Sequence, residues 1–450
     1  MGDLHRFRRP AGDAVNWRAA KTSAALCGLF LLVYGTSNWL TSFRHNVGSF
    51  YFAWERHIPF VPLTILPYMS IDLFFIAAPF VCRDERELRT LTRRIVAAIL
   101  TCGAFFLLMP LRFAFERPHV DGPLGIIFNN FRLLDRPYNQ FPSLHIALGA
   151  ILAVLYLQHT HGLLRFTLGI WFGLIGLSTL LTYQHHVIDV IGGFALGVLC
   201  VYLWQDEPLR QPVTCNLWVG MMYAAGAAVW LAVAILTRPW GLLLIWPVIS
   251  LSLVAAAYFG LGPGIFRKRQ GRVPILSSIV LWPVLAGQRL SLAYYKTKSN
   301  AWDALTDHLW IGRKLSTPEA RRAVAQGVGA VLDLSGEFSE APPFTSVEYC
   351  QLSVMDLTAP TMDQLAQALD FIRSHIESGI VYVHCKAGYS RTAAVAGAYL
   401  LSCGRAQSAD EAVQMLRDCR RGIVLRPEAL AAIRDYDRRA HEPALATGAA

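Results

Sequence analysis

The sequence has 450 residues, of which 54% are hydrophobic and only 16% are charged. A soluble protein of this length carries more charge, so the composition indicates a membrane protein. Lysine and arginine outnumber aspartate and glutamate by 41 to 31, an excess that nucleic-acid-binding proteins also show. Here the basic residues form short tracts beside apolar runs, as in membrane proteins, so we predict no nucleic-acid partner.

Eight apolar stretches approach the roughly 20 residues that a helix needs to cross a bilayer. They are residues 22–41, 59–82, 95–113, 143–158, 167–183, 187–204, 216–236 and 239–260. Arginines before the first stretch are also typical of a secretory signal, but seven further stretches favour a retained helix. The sequence therefore predicts an all-α polytopic membrane domain.

The charge of the loops predicts the orientation. With eight crossings, sixteen basic residues fall on one side and six on the other. The first side carries Arg6, Arg8, Arg9, Arg18, Lys21, Arg83, Arg86, Arg89, Arg93, Arg94, Arg165, Arg210, Arg267, Lys268, Arg269 and Arg272. The second side carries Arg44, Arg56, Arg117, Arg132, Arg136 and Arg238. This excess places residues 1–21 and 261–273 in the cytoplasm. We predict a bacterial protein, with its helices in the inner membrane.

The segment Pro274–Gly287 is short for a crossing and contains Pro283. We interpret it as interfacial or re-entrant, with a ninth crossing as the alternative. In the ninth-crossing alternative, the carboxy-terminal domain would lie outside the cytoplasm.

From residue 299 onward, short apolar strands alternate with helical patterns, which predicts an α/β domain. Strands are expected at 330–334 and 380–384, and capping boxes at Thr361 and Ser408 open two helices. The predicted order is a basic amino terminus, a membrane domain, two additional transmembrane helices, a basic interfacial linker, the α/β domain and a tail. Their ranges are 1–21, 22–205, 206–260, 261–298, 299–442 and 443–450.

The most informative string is VYVHCKAGYSRT, residues 381–392. An apolar strand leads to Cys385, a tight loop follows, and a helix begins near Ser390. A loop before a helix amino terminus points backbone N–H groups at a phosphate, and the helix dipole adds positive charge. The predicted phosphate-binding residues are Lys386, Ala387, Gly388, Tyr389, Ser390 and Thr392.

The side chains of this loop have separate predicted roles. The field of the loop favours the thiolate form of Cys385, which attacks phosphorus. Arg391, six positions later, holds two phosphate oxygens with its planar guanidinium. Ser390 or Thr392 stabilises the thiolate by hydrogen bonding, and His384 supports the loop from behind.

A departing alkoxide needs a proton, and the candidate general acid is Asp356 in VMDLTAP, twenty-nine positions upstream (385 minus 356). Asp363 lies in the first turn of a predicted helix, where a carboxylate has a structural purpose. Asp356 precedes Pro360 in a loop, where no helix terminus requires a carboxylate. The alternative is a solvated loop carboxylate.

With these residues, LWIG and VLDLS upstream complete a pattern that resembles the dual-specificity phosphatases of the cysteine-based tyrosine phosphatase superfamily, over roughly 305–440. Within that superfamily, VYVHCKAG, AYL, EAV and IVLRP are most similar to mitochondrial-type phosphatidylglycerophosphate phosphatases. CKAG is shared with phosphoinositide phosphatases, which places Lys386 as an extra positive charge at the pocket. The resemblance implies phosphocysteine chemistry without a metal or cofactor.

Polar residues also interrupt the membrane stretches in FERP, FPSLH and YQHHVID. Such residues mark functional sites in membrane helices. Asp189 lies four residues after His185 and is expected to hold its ring. His185 is the predicted nucleophile and His145 the general acid, while Arg117 and Ser143 are predicted to bind phosphate. A buried polar network without activity is the alternative.

This pattern resembles the type-2 phosphatidic acid phosphatase superfamily over roughly 59–205, and most closely its inositol phosphorylceramide and sphingomyelin synthase branch. Pro110 stands where the family phosphatases have lysine, with Arg112 as a substitute, and Thr179 stands where they have arginine. The resemblance therefore implies headgroup transfer as readily as hydrolysis at this site.

Together these patterns predict a bifunctional lipid-phosphate enzyme that acts on a membrane phospholipid such as phosphatidylglycerophosphate. One alternative is a membrane-anchored signalling phosphatase for phosphotyrosine, phosphoserine or phosphothreonine, with a lipid-sensing membrane part. Another is a binding module whose membrane site is inactive.

Overall fold

The computed structural model describes residues 12–134, 137–205, 208–237 and 240–441, with side chains except at 12–16 and 131–136. The described residues form two compact units, divided between Glu207 and Pro208. Several sequence predictions fall outside this part of the chain. They concern Arg6, Arg8, Arg9, the side chain of Arg132, Arg136, Arg238 and the tail 443–450.

The first unit is helical. Its helices are α1 (Gly12–Ser42), α2 (Ile65–Val81), α3 (Glu85–Leu108), α4 (Gly122–Leu134), α5 (Leu144–Gln158), α6 (Gly162–Leu181) and α7 (Val187–Leu203). Helix α3 begins ten residues before the predicted stretch 95–113, because the Asp84 side chain caps it by accepting N–H bonds from Arg86 and Glu87. Arg86, Arg89, Arg93 and Arg94 therefore lie on a helix rather than in a loop.

Six helical segments among the described residues are long and apolar enough to cross a membrane. They correspond to α1, α2, α3, α6 and, in the second unit, α8 (Leu217–Leu236) and the helical stretch that contains α9 (Ile245–Ala256). The two remaining predicted crossings, α5 and α7, are apolar but shorter. The prediction of an all-α region with several membrane helices is confirmed, and the number eight stays a prediction.

After α9, the chain makes a π-helical turn and enters a linker that packs into the α/β domain. Ile265 and Phe266 are buried, and the ring of Phe266 lies against Gly336. The backbone of Gly271 accepts a 2.6 Å bond from Glu340 N–H. Lys268, predicted as a loop residue beside the membrane, is instead buried. The packed domain thus includes residues well before 299.

Helices α10 (Ile275–Val280) and α11 (Trp282–Lys296) follow the linker. Val273, just before them, donates its N–H to Ser339 Oγ at 3.0 Å. Asn300, just after them, accepts a bond from Arg420 at 3.0 Å. Because both ends contact the same domain, this geometry agrees with a segment that leaves and returns rather than crosses.

A five-stranded sheet forms the centre of the α/β domain. Its strands are β1 (Trp302–Ala304), β2 (Leu309–Arg313), β3 (Val328–Ser335), β4 (Glu348–Val354) and β5 (Ile380–Cys385), in the order β1-β2-β5-β3-β4. β1 pairs antiparallel with β2, and the other pairs are parallel. The central β5 is buried along most of its length, as an apolar parallel strand should be.

Helices cover the sheet and connect its strands. They are α12 (Thr317–Ala325), α13 (Met362–His375), α14 (Ser390–Ser402), α15 (Ala409–Cys419) and α16 (Pro427–His441). The predicted caps Thr361 and Ser408 each accept a backbone N–H at the start of α13 and α15. Helix α14 is almost entirely buried, which holds the loop before it firmly against β5.

Candidate functional site

The loop between β5 and α14, residues 385–391, is named the phosphate loop below. Gly388 has φ +70°, and a Cβ there would lie 2.3 Å from the carbonyl carbon of Gly312 on β2. Only glycine fits so close to another backbone at this φ. The loop is thereby pressed against the neighbouring strand, and α14 begins at Ser390 with its amino terminus at the loop, as predicted.

Arg391 is buried, with 2% of its surface exposed. Glu337, in the loop after β3, holds its guanidinium by two bonds of 2.7 and 3.2 Å. The carbonyl of Val354 accepts a third bond at 2.9 Å. Although burial opposes the charge, Glu337 and Asp356 raise the pKa of Arg391 well above its usual value. The guanidinium is therefore fixed and charged before any phosphate binds.

Asp356 lies in the same pocket, as predicted for an acid. Its carboxylate accepts a 3.1 Å bond from Arg391 and a bond from Lys386. Burial raises the pKa of Asp356, but Arg391 and Lys386 outweigh this and hold it below the usual value. Asp356 is thus not a solvated loop residue, and its carboxyl group is ionised.

The two hydroxyls proposed for the thiolate differ in their surroundings. Ser390 Oγ donates to the carbonyl of Val424 at 2.8 Å and accepts from Arg426 N–H at 3.1 Å. Thr392 Oγ1 is buried and has no hydrogen-bond partner among the described residues. This arrangement selects Thr392, rather than Ser390, as the hydroxyl available to Cys385.

The remaining residues of the phosphate loop contact side chains that the sequence analysis did not predict. Arg420, at the end of α15, donates to the carbonyl of Ala387 at 3.3 Å and is paired with Asp303. The ring of Tyr389 packs edge-on against Tyr295 of α11, with centroids 5.6 Å apart. Arg420 therefore links the phosphate loop to β1, the edge strand that carries Asp303.

Behind the loop, His384 is fully buried, as predicted. Its Nε2 lies 3.1 Å from Glu340 and 3.9 Å from Asp333. These three residues could offer ligands to a metal ion, but Lys268 pairs with Asp333 and Lys314 lies 3.3 Å from Glu340. The ammonium groups balance both carboxylates, so the cluster fits a charge network better than a cation site.

A cavity of about 520 Å³ opens over the phosphate loop. Cys385, Arg391 and Asp356 line one wall. The other wall consists of residues from α8, α9, α11 and the segment between α15 and α16. It includes Tyr223, Leu251, Pro283, Val284, Gly287, Gln288, Ser291, Tyr295, Val424 and Arg426. Gln288 accepts a 2.8 Å bond from Lys386. Helices long enough to span a membrane therefore border the reactive cysteine.

In the first unit, the polar residues of the predicted membrane site lie near the start of α7. His185 Nδ1 lies 3.7 Å from Asp189, which is too long for a hydrogen bond. Asp189 instead accepts the N–H of His186 at 2.9 Å and caps α7. The predicted hydrogen bond that orients the His185 ring is therefore not formed, because the carboxylate satisfies the helix terminus.

The other predicted residues of this cluster are positioned by the backbone. Ser143 caps α5 and donates its N–H to the carbonyl of Asp189 at 3.0 Å. Arg117 donates through Nε to the carbonyl of Tyr183 at 3.1 Å. His145 stacks on Tyr68, with centroids 4.2 Å apart. Arg117, His145 and His185 each keep a buried nitrogen without a hydrogen-bond partner among the described residues.

A neighbouring pair was missed by the sequence analysis. His186 is buried, and its Nε2 accepts the N–H of Ala114 at 3.1 Å. Its Nδ1 therefore carries a proton and lies 3.0 Å from Glu55. Glu55 comes from a short 3₁₀ helix, Ala53–His57, 131 positions earlier, and a single carboxylate there has no motif around it.

Comparison with known proteins identifies two domains. The family "Dual specificity phosphatase, catalytic domain" matches residues 309–439, and the "PAP2 superfamily" matches residues 91–208. The human protein named "Phosphatidylglycerophosphatase and protein-tyrosine phosphatase 1" is 38% identical over 92 residues, 20% of this chain and 45% of that protein. "Phosphatidylglycerophosphate phosphatase PTPMT2" of Arabidopsis thaliana is 25% identical over 169 residues, 36% of this chain and 72% of its own length.

Among solved structures, "Crystal Structure of PTPMT1" has 26% identity and a TM-score of 0.28, and covers 31% of this chain and 94% of that chain. This chain spans about half the length of the mammalian relatives that it matches. The chain thus contains a cysteine-based phosphatase domain of the phosphoric monoester hydrolase class and a PAP2 domain, and both predicted resemblances are confirmed at this level.

Proposed function

We propose that this protein is a membrane-bound phosphatase that hydrolyses a phosphomonoester on a phospholipid headgroup, such as phosphatidylglycerophosphate. The observation that carries the proposal is the cavity over Cys385, one wall of which comes from α8, α9 and α11. Helix α8 and the stretch that contains α9 are long and apolar enough to cross a membrane. A lipid headgroup would enter this cavity while its acyl chains stay in the bilayer. A phosphorylated peptide would have to reach the cysteine past the same helices.

In the first step, the sulfur of Cys385 attacks phosphorus, an S–P bond forms, and the bond to the headgroup oxygen breaks. Arg391 and the loop N–H groups bind the non-bridging oxygens, whose charge shifts during the transfer. The phosphate brings negative charge beside Asp356 and engages Arg391. Both effects raise the pKa of Asp356 from its low value in the empty pocket, so that it protonates the departing alkoxide.

In the second step, water attacks the phosphocysteine. Asp356, now a carboxylate, takes a proton from the water as the S–P bond breaks, and inorganic phosphate leaves. Glu337 keeps Arg391 in place through both steps, because its two bonds do not involve the substrate. The chemistry needs no cofactor in this scheme.

The test uses the full-length protein in mixed micelles, with phosphatidylglycerophosphate and a phosphotyrosine peptide at equal phosphate concentration. We expect faster release of phosphate from the lipid, and a preference for the peptide would support the signalling alternative. Cys385→Ser should abolish the activity of the phosphatase domain, because a hydroxyl is not ionised here, and leave only what the PAP2 domain contributes. Cys403→Ser, at an exposed cysteine, is the control. Full activity in Cys385→Ser would exclude the mechanism.

A second activity is proposed for the PAP2 domain. Two buried nitrogens without hydrogen-bond partners among the described residues, Arg117 Nη2 and His145 Nε2, favour a site for an anion such as a lipid phosphate. His185 would be the nucleophile and His145 the acid, in hydrolysis or headgroup transfer. In the Cys385→Ser background, His185→Ala should remove any remaining activity of either kind. Remaining activity that is indifferent to His185 would show that this site is wrong.

The proposed location is the inner membrane of a bacterium, with the phosphatase domain in the cytoplasm and the PAP2 site at the opposite face. The excess of basic residues in the predicted cytoplasmic loops supports this orientation. A reducing compartment also suits a reactive thiolate. Tethering beside the bilayer gives lipid substrates a high effective concentration.

A further inference from the structure

The loop that carries Asp356 joins β4 to α13 and turns two consecutive carbonyl groups toward the membrane helices. Leu357 has φ +58°, a left-handed conformation that is strained for a residue other than glycine. Within the turn, Thr358 donates only to the carbonyl of Met355, at 2.9 Å. The carbonyls of Asp356 and Leu357 need donors from elsewhere, because unpaired buried carbonyls are costly.

Both donors come from the hairpin formed by α8 and α9. Tyr258, just after α9, donates its hydroxyl to the carbonyl of Asp356 at 2.8 Å. Asn216, just before α8, donates Nδ2 to the carbonyl of Leu357 at 2.9 Å. The N–H of Asn216 also donates to the carbonyl of Tyr258 at 3.3 Å. The two helix ends therefore act on the loop as one connected group.

The side chain of Asn216 uses both its amide nitrogen and its oxygen. Its Oδ1 accepts the N–H of Val219 at 3.3 Å, which caps α8. Its second Nδ2 contact goes to Glu428 of α16 at 3.1 Å. Tyr258 is 2% exposed and stacks on Tyr223, with centroids 5.7 Å apart. Both donors are thus held by contacts additional to their bonds with the loop.

We propose that the α8–α9 hairpin is a positioning element of the phosphatase site, in addition to anchoring it. Through Tyr258 and Asn216 it fixes the two carbonyl groups that directly follow the Cα of Asp356, which sets the carboxylate beside Arg391 and Lys386. The inference rests on the proposed role of Asp356 as general acid. Catalysis at this site then depends on a correctly folded membrane hairpin.

The dependence of the rate on the leaving group tests this inference. An alkyl phosphomonoester needs protonation by Asp356, whereas the acidic leaving group of 4-nitrophenyl phosphate needs little. Tyr258→Phe removes one donor, and Asn216→Ser keeps a capping oxygen but is too short to reach Leu357. We expect each variant to lower kcat for phosphatidylglycerophosphate about tenfold, and kcat for 4-nitrophenyl phosphate less than about twofold.

The full-length protein in mixed micelles is used throughout, with Tyr294→Phe, at an exposed tyrosine, as the matched control with wild-type rates. Asp356→Asn should give the same selective loss, roughly a hundredfold or more. If Asp356→Asn is selective but both hairpin variants are not, the inference is refuted. Equal loss on both substrates in the hairpin variants would also refute it, since that indicates a general folding defect. If Asp356→Asn itself is not selective, the proposed acid is wrong, and the positioning role falls with it.

Discussion

The buried ion pair between Lys268 and Asp333 provides the sharpest test of how the linker stabilises the phosphatase domain. The side chain of Lys268 is 1% exposed and that of Asp333 is fully buried. Lys268 also donates to the carbonyl of Ser335 at 2.7 Å. Although burial raises the pKa of Asp333, Lys268 and His384 hold it below its usual value. The carboxylate is therefore charged, and Lys268→Met leaves it without its principal partner.

Removing one partner of a buried pair costs about 3–5 kcal/mol, because the other charge stays desolvated. For a unit of 150–250 residues, each kcal/mol lowers Tm by about 2–4 °C. The expected decrease for Lys268→Met is therefore roughly 6–20 °C. Tyr349, which donates to Asp333 at 2.8 Å, remains in the variant and favours the lower end of this range. Asp333→Asn in the same chain removes the unpaired charge and should restore part of the loss.

The measurement is thermal unfolding of the full-length protein in detergent, followed by tryptophan fluorescence and by the phosphatase activity that remains after heating. Lys298→Met, at an exposed lysine, should change Tm by less than about 2 °C. An unchanged Tm in Lys268→Met would refute the reasoning. The reasoning would also be refuted if the Tm of the double variant fell by more than the decreases of the two single variants added together. An isolated 295–450 fragment, which lacks Lys268, should be unstable for the same reason.

Further outcomes are expected at other positions. Glu337→Gln weakens the two hydrogen bonds that hold Arg391 and should lower kcat/KM for phosphatidylglycerophosphate about tenfold. An unchanged kcat/KM would show that Arg391 is held in place without the Glu337 carboxylate. Arg313 lowers the pKa of Glu319 to about 2. The Glu319 carboxylate therefore stabilises the fold fully above its unfolded pKa of about 4.3, and this contribution is lost as the pH falls toward 2. Glu319→Gln should flatten this acid limb in a series of unfolding measurements, and an unaltered limb would assign the effect to other groups. A reporter active only in the periplasm, fused after Ala450, should be silent in intact bacteria, while a cytoplasmic reporter should be active; the reverse would overturn the proposed orientation.

The phosphate loop could be predicted from the sequence because its parts are local. Cys385, Gly388 and Arg391 lie within seven residues, and strand, turn and helix signals surround them. The apolar stretches and the caps Thr361 and Ser408 are local signals of the same kind. Asp356 could be proposed only because the loop had already indicated a phosphoryl-transfer reaction.

The supports of the site could not be predicted from local patterns. Glu337 is an ordinary loop carboxylate in sequence, and it becomes the partner of Arg391 only because β3 lies beside β5 in the sheet. Lys268 belongs to a basic tract, which ordinarily indicates a loop at the membrane surface. In the folded chain it is buried, because the linker packs against the end of β3.

The sequence by itself predicted the chemistry, since the identity and spacing of the phosphate-loop residues indicate a nucleophile, a phosphate clamp and a helix dipole. It also determined that several helices are apolar enough for a membrane. The tertiary structure alone decided that Tyr258 and Asn216 bond to the loop of Asp356, 98 and 141 positions away along the chain. Hydrogen bonds at such separations depend on how whole helices pack, and no periodicity or motif of nearby residues encodes that packing.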